Sequence, residues 1–227
     1  MTAKRIITID GPAGSGKSSA AERLAERLSG ICLNSGSFYR IVANELIFAG
    51  VTTGETTTVD PNDEAAVMQC VTDITIEAEN GMACRIGGRQ VPAEGLRSQL
   101  VDDIVSAVSR HQALREYVNH QLRAYAEAVG CDVVCEGRDA GHVIFPNADY
   151  KIYLFAHIAV RARRLNRTEA EIKERDLSDM TTKGTGNLIT TGEARRQGYF
   201  VVNGSRPMKD VDEELHAIAS GLVGNDV

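Results

Sequence analysis

The fold is decided by residues 11–18, which read Gly11-Pro12-Ala13-Gly14-Ser15-Gly16-Lys17-Ser18. This run matches the pattern G-x-x-x-x-G-K-[ST] at every fixed position. An apolar strand pattern, Ile6 to Ile9, comes directly before it, and helical spacing of apolar residues follows from Lys17 to Ser29. A strand, a glycine-rich loop and a helix in this order predict a phosphate-binding P-loop.

The chemistry of this loop follows from its residue types. Small residues let backbone N–H groups converge on an anion, and the N-terminus of the following helix adds positive potential. Lys17 can reach the β and γ oxygens of a nucleotide, and the Ser18 hydroxyl can hold a magnesium ion. We therefore predict that residues 11–19, from Gly11 through Ser19, bind a nucleoside triphosphate, that Lys17 is catalytic, and that Ser18 is a ligand of Mg²⁺.

Composition narrows the class of protein. The chain has 227 residues, of which 43% are apolar and 25% charged, values that favour a globular domain with a buried core. Its 25 basic and 31 acidic residues give a net charge of -6, which argues against binding nucleic acid or an anionic membrane through bulk charge. The five cysteines are scattered without a Cys-x-x-Cys pair, so no disulfide framework or zinc site is expected. With no long apolar run and no leader-like start, we expect a cytoplasmic protein.

Alternating strand and helix patterns predict an α/β fold, a parallel sheet flanked by helices over a single domain, 1–227. One region departs from this pattern. Ile74 and Ile76 alternate with polar residues, Asn80-Gly81 is a hairpin signal, and an apolar strand returns at Met82–Ile86. We predict a small antiparallel insertion at about 62–97.

The second half of the chain continues the α/β pattern. Apolar spacing over 98–129 predicts one long helix or two helices broken near His111. Two short apolar runs, 132–135 and 150–155, are typical of buried parallel strands. A basic helix is predicted over 157–175, and a last strand and helix at 199–202 and 210–222.

A P-loop alone is compatible with a GTPase, a motor, a transporter ATPase or a small-molecule kinase. The sequence has no Asn-Lys-x-Asp guanine motif and no apolar strand that ends in the Asp-Glu pair of ATPase motors. Its arginines concentrate in the C-terminal third, which favours a kinase with a lid at about 161–186 that closes over the phosphates.

Three blocks together resemble the bacterial cytidylate kinase (CMP kinase) family. They are Ile9–Ser18, then Leu33-Asn34-Ser35-Gly36-Ser37-Phe38-Tyr39-Arg40, and Glu136-Gly137-Arg138-Asp139 with Phe145-Pro146 following. Weaker similarity continues at Gly95-Leu96-Arg97, at Ser106 with Arg115, and at Arg175-Asp176 with Asp179.

The resemblance implies a nucleoside monophosphate kinase with a P-loop core, a monophosphate-binding insertion and a helical lid. It implies transfer of the γ-phosphate of ATP to a pyrimidine nucleoside monophosphate, CMP or dCMP first. The implied acceptor-binding residues are Ser35, Tyr39, Arg40, Arg97, Ser106, Arg115, Arg138, Asp139 and Asp179. Arg40 and Arg138 would hold the phosphate, Ser35, Ser106, Arg115 and Asp139 the pyrimidine, and Asp179 the ribose. Arg161, Arg164 and Arg175 would neutralise the transferred group, and Asp10 or Glu136 would order the water around the metal.

The chain also departs from the family pattern. Asn34 stands where the family usually has Asp, His142 where it has Thr, and Thr182 where it has Arg, with Lys183 adjacent in a shortened lid. These departures leave two alternatives open: a P-loop kinase of a modified nucleotide or another small acceptor, and a nucleotide-binding regulatory protein. We expect a monomer with ATP and a nucleoside monophosphate as partners and neither nucleic acid nor membrane.

Overall fold

The computed structural model describes residues 4–51, 59–72, 75–92, 94–181 and 188–223. Thr182, Lys183 and the rest of the predicted lid to residue 186 lie outside these ranges. The chain divides into two compact units. Unit 1 comprises Met1–Leu33 and Val129–Val227, and unit 2 comprises Asn34–Ala128.

The strands, in chain order, are β1 (Ile6–Asp10), β2 (Ile31–Asn34), β3 (Ile76–Glu79), β4 (Met82–Ile86), β5 (Arg89–Gln90), β6 (Val133–Gly137), β7 (Tyr150–Phe155) and β8 (Phe200–Asn203). The helices are α1 (Lys17–Arg27), α2 (Ser35–Phe48), α3 (Glu64–Val71), α4 (Gln99–Val108), α5 (Gln112–Ala128), α6 (Ile158–Leu165), α7 (Glu169–Met180), α8 (Thr191–Arg196) and α9 (Met208–Ala219). A short 3₁₀ helix covers Gly95–Arg97 and a π-helical turn covers Ala140–Ile144. Among the described residues, none of these helices has both the length and the apolar character needed to span a membrane.

A five-stranded sheet with the order β2-β6-β1-β7-β8 is the centre of unit 1. β1 pairs in parallel with β6 and β7, and β7 pairs in parallel with β8. The register places Asp10 opposite both Gly137 and Tyr153. Because the carboxyl ends of parallel strands meet at one edge, the P-loop and the segment after β6 start side by side.

Helices cover this sheet, as the sequence predicts. α1 and α9 contribute apolar side chains to one core with Ile7 and Ile9 of β1 and Ile152 of β7. A second cluster, Tyr153, Leu188, Ala194 and Tyr199, packs beside β8. The near-continuous apolar runs of β6 and β7 reflect strands that are buried on both faces. The predicted parallel sheet flanked by helices is confirmed.

Unit 2 contains the antiparallel sheet β3-β4-β5. Asn80 and Gly81 form the predicted hairpin turn, with φ values of 49° and 78°, a conformation that Asn and Gly tolerate best. The predicted break near His111 is confirmed, because α4 ends at Val108 and α5 begins at Gln112. The order β3-β4-β5 confirms the predicted small antiparallel sheet. The limits 62–97 of the insertion stay a prediction.

The basic helix predicted over 157–175 is two helices. Asn166 adopts the left-handed conformation with φ 50° and ends α6. Thr168 then starts α7 with a capping box, in which its hydroxyl accepts from the Glu171 backbone and the Glu171 carboxylate accepts from the Thr168 backbone. Whether this pair moves as a lid stays a prediction.

Candidate active site

The P-loop joins the buried end of β1 to the start of α1. Gly11 has φ 152° and Gly16 φ 99°, values that favour glycine. A Cβ atom on Gly11 would lie 2.2 Å from the carbonyl oxygen of Leu154. The loop therefore runs against the backbone of β7 and leads into the N-terminus of α1, where the first N–H groups of a helix have no intrahelical partner and can bind an anion.

Lys17 and Ser18 occupy the first turn of α1 and both approach Glu136 of β6. The Ser18 hydroxyl donates to Glu136 Oε1 at 3.0 Å, and Lys17 Nζ lies 3.9 Å from Glu136 Oε2. Burial and the positive charge of Arg138 lower the pKa of Lys17 to about 8, although Glu136 opposes this shift. Lys17 is thus a largely buried cation whose ion pair with Glu136 is long, as expected of a group that meets phosphate.

The oxygen atoms near Ser18 suit a hard cation such as Mg²⁺. They are the Ser18 hydroxyl and the carboxylate of its hydrogen-bond partner Glu136. No cluster of three or more His, Cys, Asp or Glu side chains that could hold a metal occurs in the described ranges. This donor set fits an ion that keeps waters and phosphate oxygens as ligands.

Asp10, at the end of β1, has a different role from Glu136. Its carboxylate accepts from the backbone N–H groups of Ala140 at 2.6 Å and Gly141 at 2.8 Å, and from the Tyr199 hydroxyl at 3.1 Å. Burial raises the pKa of Asp10 to about 7, although these hydrogen bonds oppose the rise. Of the two carboxylates predicted to order the water around the metal, Glu136 is the one that contacts Ser18.

Arg138 follows β6 and connects the P-loop with α7. Its Nη1 donates to the carbonyl oxygen of Gly11 at 3.0 Å, and its Nε pairs with Asp179 Oδ2 at 2.8 Å. Asp139, the next residue, is buried. The structure therefore brings together three of the predicted acceptor-binding residues at the carboxyl edge of the sheet.

Arg161 and Arg164 on α6 contact the outside of the P-loop. Arg161 donates through Nε to the carbonyl oxygen of Ala13 at 2.6 Å and through Nη1 and Nη2 to both carboxylate oxygens of Asp176, at 2.6 and 2.5 Å. Arg164 donates to the carbonyl oxygens of Ser15 at 3.0 Å and Gly204 at 2.8 Å. These contacts favour a role in holding the loop. The predicted role in charge neutralisation stays a prediction for both residues.

Arg175 is exposed on α7. Its positive charge is among the causes that lower the pKa of Lys17, which places the two cations in one electrostatic environment. The predicted role of Arg175 in neutralising the transferred group stays a prediction.

Unit 2 carries the other predicted acceptor-binding residues. On α2, Ser35 is buried, and Arg40 donates to the carbonyl oxygen of Leu96 at 2.6 Å and pairs with Asp102 Oδ1 at 2.6 Å. Ser106 of α4 donates to the backbone carbonyl of the same Asp102 at 2.8 Å. Arg40 and Ser106 therefore meet at a single residue of α4.

A second pair in unit 2 is Tyr39 and Arg115. The Arg115 guanidinium lies 5.9 Å from the centre of the Tyr39 ring, and its Nη1 donates to the carbonyl oxygen of Ser109 at 3.3 Å. Arg97 is exposed at the end of the 3₁₀ helix. The predicted pairing of Arg115 with Asp139 on one base stays a prediction.

Asn34, which stands where the family usually has Asp, has a structural role at the start of α2. Its side-chain oxygen accepts from the backbone N–H of Ser37 at 2.9 Å and so caps α2. Asn and Asp serve almost equally well at this position. The change from Asp to Asn therefore keeps the helix cap while removing a charge.

Two residues that contact this site, Asp176 and Tyr199, were not predicted to have a role in it. Asp176 is the ion-pair partner of Arg161, and Tyr199 reaches Asp10 across the sheet. Asp176 could have been noticed as a part of the Arg175-Asp176 motif, whereas a tyrosine at the start of a strand carries no signal for such a contact.

Comparisons with known proteins identify the family of the chain. Residues 7–194 match the family model described as cytidylate kinase. The chain is 37% identical to the cytidylate kinase of Geobacillus kaustophilus over 167 residues, which are 72% of this chain and 70% of that protein. It is 34% identical to the bifunctional pantoate ligase/cytidylate kinase of Prochlorococcus marinus, where the match covers 100% of this chain and 44% of the longer relative. A crystal structure from Thermus thermophilus shares the fold, with a TM-score of 0.51, 17% identity and coverage of 97% of this chain and 99% of that one. With its family match spanning the P-loop, β6 and the segment to α8, the chain belongs to the cytidylate kinase family.

Proposed function

We propose that this protein transfers the γ-phosphate of ATP to CMP or dCMP and uses Mg²⁺. Family membership supports the reaction, and the observation that carries the proposal is the arrangement of Lys17, Ser18 and Glu136 at the N-terminus of α1. Phosphoryl transfer needs positioning and neutralisation of charge more than covalent chemistry from the protein. A P-loop with a buried cation and an oxygen-rich ion site provides both.

Ser18 would hold the magnesium ion, with Glu136 accepting hydrogen bonds from its water ligands. When bound, the ion supplies positive charge to the phosphate oxygens. Lys17 would place its positive charge at the β and γ oxygens. The negative charge of the phosphates would in turn stabilise the buried ammonium group. Arg161 and Arg164 hold the carbonyl groups of the loop, so that its N–H groups stay turned toward the phosphates.

The residues proposed for the acceptor are those that the family resemblance implies, and each unit is described by its own contacts. Arg138 and Arg40 each present a guanidinium fork suited to a phosphate. Arg115 and Asp139 supply a donor and an acceptor, the combination needed for the N4, N3 and O2 edge of cytosine. In the structure Arg138 and Arg40 pair with Asp179 and Asp102, carboxylates that an incoming phosphate would displace. The protein is expected to act as a monomer.

An acceptor screen with ATP and Mg²⁺ tests the proposal. CMP and dCMP should exceed AMP and GMP by about a hundredfold or more in kcat/KM, because a site built to hydrogen-bond one base leaves buried polar groups unpaired against another. Inactivity with every nucleoside monophosphate, or equal use of AMP, would contradict the proposal.

Two arginine variants test whether the acceptor selectivity depends on Arg115. Arg115→Met should lower kcat/KM for CMP and narrow its advantage over AMP. Arg110→Met is the matched control, because Arg110 is exposed and its Nε donates to the nearby carbonyl oxygen of Ala107 at 3.2 Å. The control should retain parental selectivity.

A further inference from the structure

A buried network joins β8 to the segment that follows β6. The Tyr199 hydroxyl donates to Asp10 Oδ2 at 3.1 Å and lies 3.4 Å from His142 Nδ1. Asp10 also accepts from the N–H groups of Ala140 and Gly141. Asp10 thus accepts from three donors, two backbone N–H groups of the π-helical turn and the hydroxyl of Tyr199.

The donors of this network lie next to the residues proposed to bind the acceptor. Ala140 and Gly141 come directly after Asp139, which the proposed function places on the base, and Arg138, which it places on the acceptor phosphate. The carboxylate of Asp10 therefore fixes the backbone at the start of the turn. Because Asp139 directly precedes that turn, the same hydrogen bonds restrain the positions of Arg138 and Asp139. Buried hydrogen bonds to a charged acceptor hold such a position strongly because the local dielectric is low.

Close packing supports the same assignment. A Cβ atom on Gly141 would lie 2.6 Å from the Tyr199 hydroxyl oxygen and 2.6 Å from Thr8 Oγ1. The phenol is thus in direct contact with the backbone of the turn. It donates to the carboxylate and at the same time limits where the turn can lie.

We propose that Tyr199 is a positioning residue for acceptor binding, which acts through Asp10 on Arg138 and Asp139. This inference rests on the proposed function. His142 assists, because the phenol oxygen, whose O–H donates to Asp10, can accept a hydrogen bond from an Nδ1–H of the imidazole. Tyr199 touches no reacting atom and is not a catalytic residue.

The charged and titratable groups around the network determine its response to pH. Asp139 and the hydrogen-bond donors face Asp10, as do the thiol of Cys135 and the phenol of Tyr153. Glu193 of α8 faces His142, and Lys151 Nζ lies 5.5 Å from the centre of the Tyr199 ring. Burial raises the pKa of Asp10 to about 7, and the Tyr199 hydrogen bond lowers it. Loss of the hydroxyl should therefore raise the Asp10 pKa further, and a protonated carboxyl would hold the turn less well.

Tyr199→Phe tests the proposal, with Tyr153→Phe as the matched control. The Tyr153 hydroxyl donates to the carbonyl oxygen of Ile189 at 2.6 Å and belongs to the same apolar cluster as Tyr199. Tyr199→Phe should raise KM for CMP about tenfold, the effect of one lost hydrogen bond to a charged group, and leave KM for ATP near the parental value. The acidic limb of its profile of kcat/KM for CMP against pH should move to higher pH. Tyr153→Phe should change neither quantity.

A measurement without substrate separates this inference from the proposed function. Carbon-13 NMR of labelled aspartate carboxyl groups should show a higher Asp10 pKa in Tyr199→Phe than in the parent or in Tyr153→Phe. If Tyr199→Phe matches the control in both KM for CMP and Asp10 pKa, the positioning role is wrong. If the parent does not phosphorylate CMP, the proposed function fails, and the NMR comparison alone decides whether Tyr199 acts on Asp10.

Discussion

The ion pair between Arg161 and Asp176 should contribute mainly to stability. The two side chains are 6% and 18% exposed and share two hydrogen bonds, while the third donor of Arg161 reaches the P-loop at Ala13. Removal of one partner of a buried pair typically costs about 3–5 kcal/mol, because the other charge is left without compensation. Since Asp176 keeps some contact with water, we expect about 3 kcal/mol for Arg161→Ala and about the same for Asp176→Ala.

The double variant distinguishes a true pair from two independent losses. Because the second removal eliminates the charge that the first left unpaired, the double variant should lose about 4 kcal/mol instead of 6, a coupling of about 2 kcal/mol. Urea unfolding of the four proteins measures these values. The exposed pair Arg167 and Glu171, at 62% and 46% exposure, is the control and should couple by less than about 0.5 kcal/mol.

The same variants separate the two roles considered for Arg161. If it holds the P-loop, Arg161→Ala should lose stability and raise KM for ATP. Full parental stability combined with a collapse of kcat would refute this reasoning and return Arg161 to the predicted role of neutralising the transferred phosphate.

Two further predictions concern the ATP side of the site. Lys17→Met should abolish turnover and raise the free energy of unfolding at pH 7 by about 3 kcal/mol, because the folded protein carries this charge at a pKa lowered from 10.5 to about 8. By the same linkage, the free energy of unfolding of the parent should increase as pH rises from about 8 toward 10.5, and this increase should be absent from the variant. The parental kcat/KM for ATP should fall above about pH 8. Identical profiles of stability against pH for the two proteins would contradict the assignment. Glu136→Gln should raise the Mg²⁺ concentration needed for half-maximal rate by about tenfold while the fold stays intact by circular dichroism, and an unchanged requirement would remove Glu136 from the ion site.

Much of the architecture could be predicted because the patterns that specify it are local. The P-loop, the Asn80-Gly81 hairpin and the break before α5 depend on residues a few positions apart. The division of the basic helix was not predicted. Asn166 suits a left-handed helix end, and Thr168 with Glu171 has capping-box spacing, but the strong helix formers on both sides favour a single helix when the segment is judged by composition. Helix α8 has only 6 residues, which is too short for apolar periodicity to show.

The site was harder to predict because guanidinium groups look alike in sequence. Arg161, Arg164 and Arg175 lie within 15 positions, yet the first two donate to carbonyl oxygens of the P-loop and the third is exposed on α7. Which atom an arginine meets depends on distant backbone, here the loop at residues 13–15. Tyr199 and Asp10 are separated by 189 positions, so no local pattern could connect them.

The placement of β1 in the middle of its sheet also constrains the order of events during synthesis. Its partners β6 and β7 begin at residues 133 and 150, and the Arg5 side chain beside it bonds to Asp132, 127 positions away. Closing so long a span is entropically costly and slow. A nascent chain on the ribosome would thus expose an unpaired apolar strand until most of the protein had emerged. Unit 2 is contiguous in sequence and could fold during that interval, which would replace a long flexible span with a compact one. Early chaperone contact should therefore concentrate on the first strand.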